Sequence, residues 1–267
     1  SNAAIRDASA LPGDAYLRGR TPGKVARGLT LFWTRTWDAL AGALFPTPCV
    51  SCGGLIAAHD PPLCALCWDR LPLIEGVQCS CGTPLPGSWG EDCGRCRRGR
   101  SVISRGASFG FYGGPLRDCV VALKYHGRHK AAKRLAVRLL ENGRCREILE
   151  RADLIVAVPL HPDRLRHRGF NQAGLIAAAL GEAGPGFVSH CLVRTRNTRS
   201  QTDLGARERR LNVLNAFSVQ PDPALQSATV VLVDDVITTG ATLRECGATL
   251  LAHGAREVRS ITVARAE

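Results

Sequence analysis

The stretch Val230-Val-Leu-Val-Asp-Asp-Val-Ile-Thr-Thr-Gly-Ala-Thr242 decides how this chain is expected to fold. Four apolar residues lead into two adjacent carboxylates, Asp234 and Asp235. A turn of small residues then opens a helical pattern that runs from Leu243 to His253. This order is typical of a buried strand followed by a helix in an α/β domain. Because the first N–H groups of a helix have no partner inside it, such a turn can hold a phosphate.

The side chains of this turn favour a phosphorylated sugar as the ligand. Asp234 and Asp235 can accept hydrogen bonds from vicinal ribose hydroxyls, as an acid does in dinucleotide-binding folds. The stretch resembles the phosphoribosyl-diphosphate (PRPP) signature of the type I phosphoribosyltransferases. A plain strand–helix turn capped by an aspartate is the alternative, but it needs neither two acids nor three threonines. The residues expected to bind PRPP here are Thr238, Thr239, Gly240, Ala241 and Thr242.

A second candidate segment follows a predicted strand near residues 154–158, where a proline-bounded turn is joined to several arginines. Ligands of open parallel sheets bind at the carboxyl edge of the strands. Arginine holds phosphate oxygens through two parallel hydrogen bonds. We therefore interpret the segment as a pyrophosphate-side loop, with a solvated basic loop as the alternative. The residues assigned to it are Pro159, Leu160, His161 and Arg168.

A third segment, residues 194–212, is long, polar and very basic, and it lies between two predicted strands. Long loops in compact domains are usually lids or binding segments, and closure over a diphosphate would exclude water. A weaker signal adds Lys124, beside an aromatic residue, to the candidate PRPP ligands. The residues assigned to the flap are Arg196, Thr198, Gln201 and Arg209.

Eight cysteines between residues 49 and 96 form two similar units. Two thiolates two residues apart can hold one side of a metal ion, and a second pair completes a tetrahedron. The second unit begins with Cys79-Ser80-Cys81, one residue shorter than usual, so it either binds zinc with a strained turn or uses another arrangement. A redox role needs a thioredoxin-like context that is absent here. The predicted structural zinc ligands are Cys49, Cys52, Cys64 and Cys67, then Cys79, Cys81, Cys93 and Cys96.

The composition shifts along the chain predict three parts. Residues 1–45 form a flexible segment with one amphipathic helix, which docks on its own protein or, as the alternative, on a membrane or partner. Residues 46–100 form the double zinc ribbon, and residues 101–267 alternate strands and helices. We predict strands near 102–112, 154–158, 187–193, 216–219, 229–234 and 258–264, and helices near 115–125, 129–150, 171–182 and 241–253.

The charge and hydropathy of the chain bear on its partners and compartment. Its 267 residues carry 35 basic and 23 acidic side chains, a net charge of +12 that attracts polyanions such as nucleic acid. No stretch reaches the length of a membrane span, and no export signal is evident, so we expect a cytoplasmic protein. Cys119, Cys145, Cys191 and Cys246 are expected to be buried small hydrophobes.

With these segments in order, residues 46–265 closely resemble the ComF family, also described as ComFC or GntX-like proteins. The most specific parts are Val158-Pro-Leu-His-Pro162, Arg168-Gly-Phe-Asn-Gln172, the Thr198/Gln201/Leu204 spacing and the Asp234-Asp235 signature. The resemblance implies an open, mainly parallel α/β sheet of the type I phosphoribosyltransferase fold behind a double zinc ribbon. It also implies a cytoplasmic link to DNA uptake in natural competence, or to the use of DNA as a nutrient.

Two classes of function remain open at this point. In the first, the protein is a phosphoribosyltransferase in which Mg²⁺ bridges the diphosphate and ribose hydroxyls of PRPP, with an unknown acceptor. In the second, it is a non-catalytic protein that binds single-stranded DNA and keeps the PRPP pocket as a sensor or relic. Against this second class, aromatic residues make up only 5% of the chain, so few side chains are available for nucleic-acid bases to stack on. An adaptor that docks a helicase or another DNA-uptake protein is compatible with either class.

Overall fold

The computed structural model describes residues 47–56, 62–86, 92–98, 101–125, 129–198 and 206–266, which all belong to one compact unit. The strands are β1 Thr47–Pro48, β2 Leu55–Ile56, β3 Arg105–Phe111, β4 Leu154–Ala157, β5 Phe187–Ser189, β6 Leu192–Arg194, β7 Phe217–Val219, β8 Thr229–Ile237 and β9 Glu257–Arg265. The helices are α1 Ala65–Asp69, α2 Gly94–Arg97, α3 Gly114–Tyr125, α4 His129–Glu141, α5 Gly143–Leu149, α6 Pro162–Arg168, α7 Gln172–Ala183, α8 Ala206–Val213 and α9 Ala241–Ala252.

Five strands form one sheet in the order β3-β9-β8-β4-β5, and every neighbouring pair is parallel. Because all of these pairs are parallel, the carboxyl ends of all five strands lie at the same edge of the sheet. The predicted fold class, an open parallel sheet of the phosphoribosyltransferase type flanked by helices, is confirmed.

Strand β8 lies in the middle of the sheet, and its apolar run is buried on both faces. Val231 and Val233 pack into one cluster with residues of α3, α4 and α7. Val230 and Leu232 pack into the other, with residues of α9 and of the β6–β7 pair. A strand covered on both faces reads as a continuous rather than an alternating hydrophobic run. This explains why the first four residues of the quoted stretch are all apolar.

Two predicted elements are each divided in the structure. The helix predicted over 129–150 ends at Glu141, and a new helix starts where the Asn142 side chain accepts a hydrogen bond from Cys145 N at 3.1 Å. The strand predicted over 187–193 breaks where Ser189 Oγ accepts from Cys191 N at 3.1 Å. As a result β5 stays in the main sheet while β6 pairs with β7 in a separate antiparallel pair. Local side-chain caps override the hydrophobic period in both places.

Two helices arise in segments that the sequence indicated as loops. Helix α6 begins with Pro162 in its first turn, and the His161 ring accepts a hydrogen bond from Asp163 N at 3.2 Å. Helix α8 occupies the second half of the expected flap. The predicted amphipathic helix and Gln201 lie outside the described residues. No described helix is long and apolar enough to cross a membrane.

The cysteine units pack against the β3 edge of the sheet. The buried Gln78 side chain donates to Ser108 O at 3.1 Å and accepts from Ser108 N at 3.0 Å, which imitates a strand partner. Arg265 donates to Cys81 O at 3.0 Å and to Gly82 O at 3.1 Å. Isolated bridges join Cys81 to Gly106 and Leu73 to Gly110. The otherwise open edge of the sheet is therefore covered by the cysteine-rich segment.

Candidate functional site: a cavity at the carboxyl edge of the sheet

The turn after β8 has the geometry of an anion-binding helix start. Gly240 adopts a left-handed φ of 71° immediately before α9, a conformation that side chains rarely take. Thr239 Oγ1 accepts from Ala241 N at 3.4 Å. The N–H groups that open α9 lie within the helix's positive end. The segment can hold a phosphate without any cationic side chain of its own.

A cavity of about 420 Å³ opens at the carboxyl edge, above the ends of β3, β9, β8 and β4. Its wall combines both acids of the motif with four cationic side chains, and Tyr112 is its aromatic member. Predicted site residues that the structure brings to this wall are Lys124, Pro159, Leu160, Arg168, Asp234, Asp235, Thr238 and Thr242. Gly240 and Ala241 line a smaller recess that shares Asp234, Thr238 and Thr242 with the cavity.

The remaining predicted residues lie in other positions. His161 caps α6 and does not line the cavity among the described residues. Arg196, of the expected flap, donates to Asn212 O at 2.9 Å, on the last turn of α8. Thr198 is buried and receives hydrogen bonds from two arginines of the cavity wall, Arg194 and Arg164.

Several lining residues were absent from the predicted set. Arg164, Asn171, Gln172 and Arg194 belong to segments that the sequence singled out, so their basic and amide character was a usable signal. Tyr112 and Ala266 also line the cavity but belong to no sequence motif. Each directly follows a strand of the main sheet, and that position is the signal that could have found them.

The two acids of the motif have different partners. Asp235 forms an ion pair with Lys124, whose Nζ lies 2.7 Å from Oδ2. Burial acts in the opposite direction, but the Asp235 carboxylate raises the pKa of Lys124 above its ordinary value. Burial, and then the neighbouring Asp235 carboxylate, raise the pKa of Asp234 well above the usual range. Asp235 therefore has a lysine as its ion-pair partner, whereas Asp234 resists ionisation.

The two cysteine units fold in the same way, despite the shorter spacing in the second. The sulfurs of each set of four lie within 4.8 Å of one another. Cys64 N donates to Cys49 Sγ at 3.3 Å, and Cys93 N donates to Cys79 Sγ at 3.1 Å. Cys52 and Cys64 sulfurs are 3.7 Å apart. Tetrahedral zinc with Zn–S bonds of about 2.3 Å places its sulfurs about 3.8 Å apart, so this donor set fits zinc.

The two cysteine units also correspond in the positions of a glycine and of a short helix. Gly53 and Gly82, each after the second cysteine of its unit, have φ values of 75° and 74°. In both units the third cysteine caps a short helix that carries the fourth. Burial opposes the shift, but N–H groups of Cys52 and Cys64 lower the pKa of Cys49 to about 6, which favours the thiolate that metals bind.

The four remaining cysteines are buried, as predicted. Burial raises the pKa of Cys119 and of Cys145 to about 12, so both stay thiols at neutral pH. They fill space in the core as small hydrophobes.

Sequence comparisons agree with these two structural parts. Residues 166–267 match the family described as Phosphoribosyl transferase domain, and residues 40–97 match the Double zinc ribbon domain. The chain is 34% identical over 218 residues to the DNA utilization protein YhgH of Salmonella typhi, covering 80% of this chain and 95% of the relative. It is 29% identical over 224 residues to competence protein F of Haemophilus influenzae, covering 82% of this chain and 96% of the relative.

A solved structure of the allosteric regulatory enzyme of purine biosynthesis aligns with a TM-score of 0.35 and 23% identity, over 54% of this chain and 30% of that one. The strand order and the family matches, rather than this alignment, define the class: a phosphoribosyltransferase-fold protein with a double zinc ribbon. Within that class, the chain belongs to the ComF family of competence and DNA utilization proteins.

We predict that each cysteine unit binds its own zinc ion. Cys52→Ser and Cys81→Ser remove equivalent ligands, since each residue precedes the left-handed glycine of its unit. Metal analysis of purified protein should find about two zinc ions in the parent chain and about one in each variant. A Cys81→Ser variant with undiminished zinc would show that the second unit is not a metal site.

We also predict that Asp234→Asn stabilises the ligand-free protein at neutral pH. Because the folded state binds the Asp234 proton more tightly than the unfolded chain, this acid favours folding at low pH. That contribution disappears as the pH rises from the ordinary value of 3.8 through the raised one. Asparagine removes the penalty, so Tm at pH 7 should rise by a few degrees and the difference should shrink toward pH 4.

The control for this measurement is Asp69→Asn, at an exposed aspartate outside the cavity. Its Tm should follow that of the parent protein at every pH. An Asp234→Asn variant less stable than the parent at pH 7 would mean that the ionised acid stabilises the fold.

Proposed function

We propose that the protein binds PRPP together with Mg²⁺ and transfers its phosphoribosyl group to an acceptor, with release of diphosphate. The observation that carries this proposal is the shared cavity. An acid pair and an anion-binding helix start lie side by side, and guanidinium groups line the same wall. PRPP needs those three features together, because it presents vicinal hydroxyls, a 5′-phosphate and a diphosphate.

Each part of the ligand has a matching group. The N–H groups and hydroxyls of residues 238–242 hold the 5′-phosphate. Asp234 and Asp235 accept hydrogen bonds from the ribose hydroxyls, and Lys124 orients the Asp235 carboxylate through their ion pair. Residues 159–161 and Arg168 bind the diphosphate of PRPP. Flap residues complete the closed site: Arg196, Thr198, Gln201 and Arg209.

The reaction then needs little covalent help from the protein. The acceptor's nucleophile forms a bond to C1′ while the bond from C1′ to the diphosphate oxygen breaks, and the electron pair leaves with the diphosphate. The nucleophile's proton passes to solvent. Carboxylate oxygens beside a phosphate-rich ligand form a donor set suited to Mg²⁺, which supplies neutralisation of the diphosphate charge when bound. The side chains contribute positioning and electrostatic stabilisation of the departing charge.

The biological setting that we propose follows from the relatives. Proteins named for DNA utilization and competence cover most of this chain. We infer a cytoplasmic role in DNA uptake or in the use of DNA as a nutrient. A helicase or another protein of the uptake machinery is the partner to which the zinc ribbon would bind.

We predict micromolar binding of PRPP with Mg²⁺ to the zinc-loaded protein, measured by calorimetric titration. The double variant Asp234→Asn/Asp235→Asn should lose that binding, by about 100-fold or more, because both sugar hydroxyls lose their carboxyl partners. The matched control is Asp69→Asn, which keeps the same chemistry of substitution outside the cavity. A folded parent protein that does not bind PRPP would overturn the proposed function.

A second candidate function is binding of single-stranded DNA. The net charge of +12 favours it, and a PRPP site accounts for only part of that excess. In this case the zinc ribbon and the basic flap hold the strand, and the cavity is a sensor or a relic.

We predict that any such binding depends steeply on salt. If the protein makes about three phosphate contacts, raising the salt from roughly 50 to 200 mM should weaken the affinity for DNA about tenfold. Fluorescence anisotropy of a labelled oligonucleotide would measure this change. The Asp234→Asn/Asp235→Asn variant separates the two candidates. A DNA scaffold keeps its cellular function with this variant, whereas an enzyme or a PRPP sensor loses it.

A further inference from the structure

The last residue of β9, Arg265, is bonded to two parts of the molecule at once. Its side chain is 8% exposed and reaches the second cysteine unit, where it donates to Cys81 O at 3.0 Å and to Gly82 O at 3.1 Å. Its backbone carbonyl accepts from Tyr112 N at 2.7 Å. Tyr112 lines the cavity, and so does Ala266, the residue that follows Arg265. A single buried residue therefore lies between a predicted zinc site and the cavity wall.

The contact between the second cysteine unit and the sheet is close, and Arg265 belongs to its polar part. Arg265 Nε also donates to the Ser108 hydroxyl at 3.2 Å, and the Ser108 backbone is bonded to the Gln78 side chain. Gly106 lies where Cys81 runs beside β3, and a Cβ on this glycine would be 2.9 Å from Cys81 C. Because so little space separates the two segments, a change in the turn at Cys81 is transmitted to its neighbours.

The cavity side of Arg265 is built from the ends of three strands. Tyr112 directly follows β3, and Ala266 directly follows β9. Ala266 N donates to Ile237 O at 2.9 Å, at the last residue of β8 and directly before the threonine turn. We name Tyr112 and Ala266 the β9 wall. Both residues are joined to the backbone of Arg265, so a shift of this strand end moves the whole wall.

The second cysteine unit has two states that differ in how they hold Arg265. With zinc bound, its four thiolates fix the turn that presents the carbonyls of Cys81 and Gly82. Small units of this kind owe their folding to the ion, so the turn loses its fixed conformation without zinc. The buried guanidinium then loses two of its acceptors, which is costly for a charged group. The end of β9 is expected to move toward water, where the guanidinium regains hydrogen bonds.

We propose that Arg265 is a positioning residue that couples zinc in the second cysteine unit to the β9 wall of the PRPP cavity. This inference rests on the proposed function and extends it, because it names what regulates the affinity of that site. Zinc and PRPP stabilise the same ordered wall, so each raises the affinity of the protein for the other by the same factor. Loss of this zinc weakens PRPP binding although no cysteine of the unit is among the described residues that line the cavity.

The first test follows hydrogen exchange and needs no ligand. In Cys81→Ser, the N–H groups of Tyr112 and Ala266 should exchange about tenfold faster than in the parent protein, because the wall opens more often. Arg265→Gln should give the same increase while it keeps about two zinc ions. Arg265→Lys should fall between these limits, since lysine restores the charge but not the two parallel bonds. Mass spectrometry of peptides that span residues 109–113 and 262–266 measures the exchange.

The second test measures the same coupling from the side of zinc. PRPP with Mg²⁺ should slow the release of about one of the two zinc ions to a chromogenic chelator. The zinc ion that Cys81→Ser retains should leave at the same rate with and without PRPP. Calorimetric titration should show that Arg265→Gln binds PRPP about fivefold more weakly than the parent protein, within the usual range of coupling between sites.

Arg259→Gln is the matched control, because it removes a guanidinium of the same strand that is also 8% exposed. Arg259 is bonded to Glu257 and lies outside the cavity. Its variant should lower stability and leave the exchange of the β9 wall at the parent rate.

Parent-like exchange of the wall in both Cys81→Ser and Arg265→Gln would overturn the coupling, as would equal protection of both zinc ions by PRPP. If the parent protein binds no PRPP while both variants show faster exchange, the proposed function fails and the link from zinc to the wall stands.

Discussion

The burial of β8 on both faces is the constraint on which the rest of the molecule depends. The buried apolar run of β8 reaches toward the carboxyl edge of the sheet, and there the next two residues of the same strand are acids. Asp234 is therefore held in a poorly solvated position in which its negative charge is disfavoured. The turn at Gly240, the start of α9 and the ends of the neighbouring strands are brought to the same place by the same parallel pairing.

Side chains of the same type lie next to each other in pairs on the cavity wall. Burial, and then the neighbouring Asp235, raise the pKa of Asp234, while burial, and then the neighbouring Arg164, lower the pKa of Arg194. Such an arrangement lowers the stability of the ligand-free protein. A ligand that offers hydroxyls and a cation to one pair and phosphate oxygens to the other relieves both costs at once. The empty site lowers the free energy of unfolding, and relief of that cost by the ligand adds to the binding free energy. Such a relation between stability and function is common.

The sequence sufficed for those parts of the fold that local pattern determines. The apolar run at Val230, the paired acids and the cysteine spacings identify the sheet and the ribbons because each depends on neighbours in the chain. The interruptions at Asn142 and Ser189 were not predicted, since a single side-chain cap there outweighs a continuing hydrophobic period. Tyr112 and Ala266 belong to the cavity only through the order of the strands, which no local motif encodes.

The cover over β3 has a consequence for the protein in the cell. An uncovered edge strand presents a row of free N–H and C=O groups that can pair with another chain. Here the cover is made of the Gln78 amide and of isolated bridges from Leu73 and from Cys81 of the second cysteine unit. Small metal-binding units of this kind owe their folding to their ion. Zinc supply therefore bears on solubility. Starved of metal, the protein is expected to expose the β3 edge to other copies of itself.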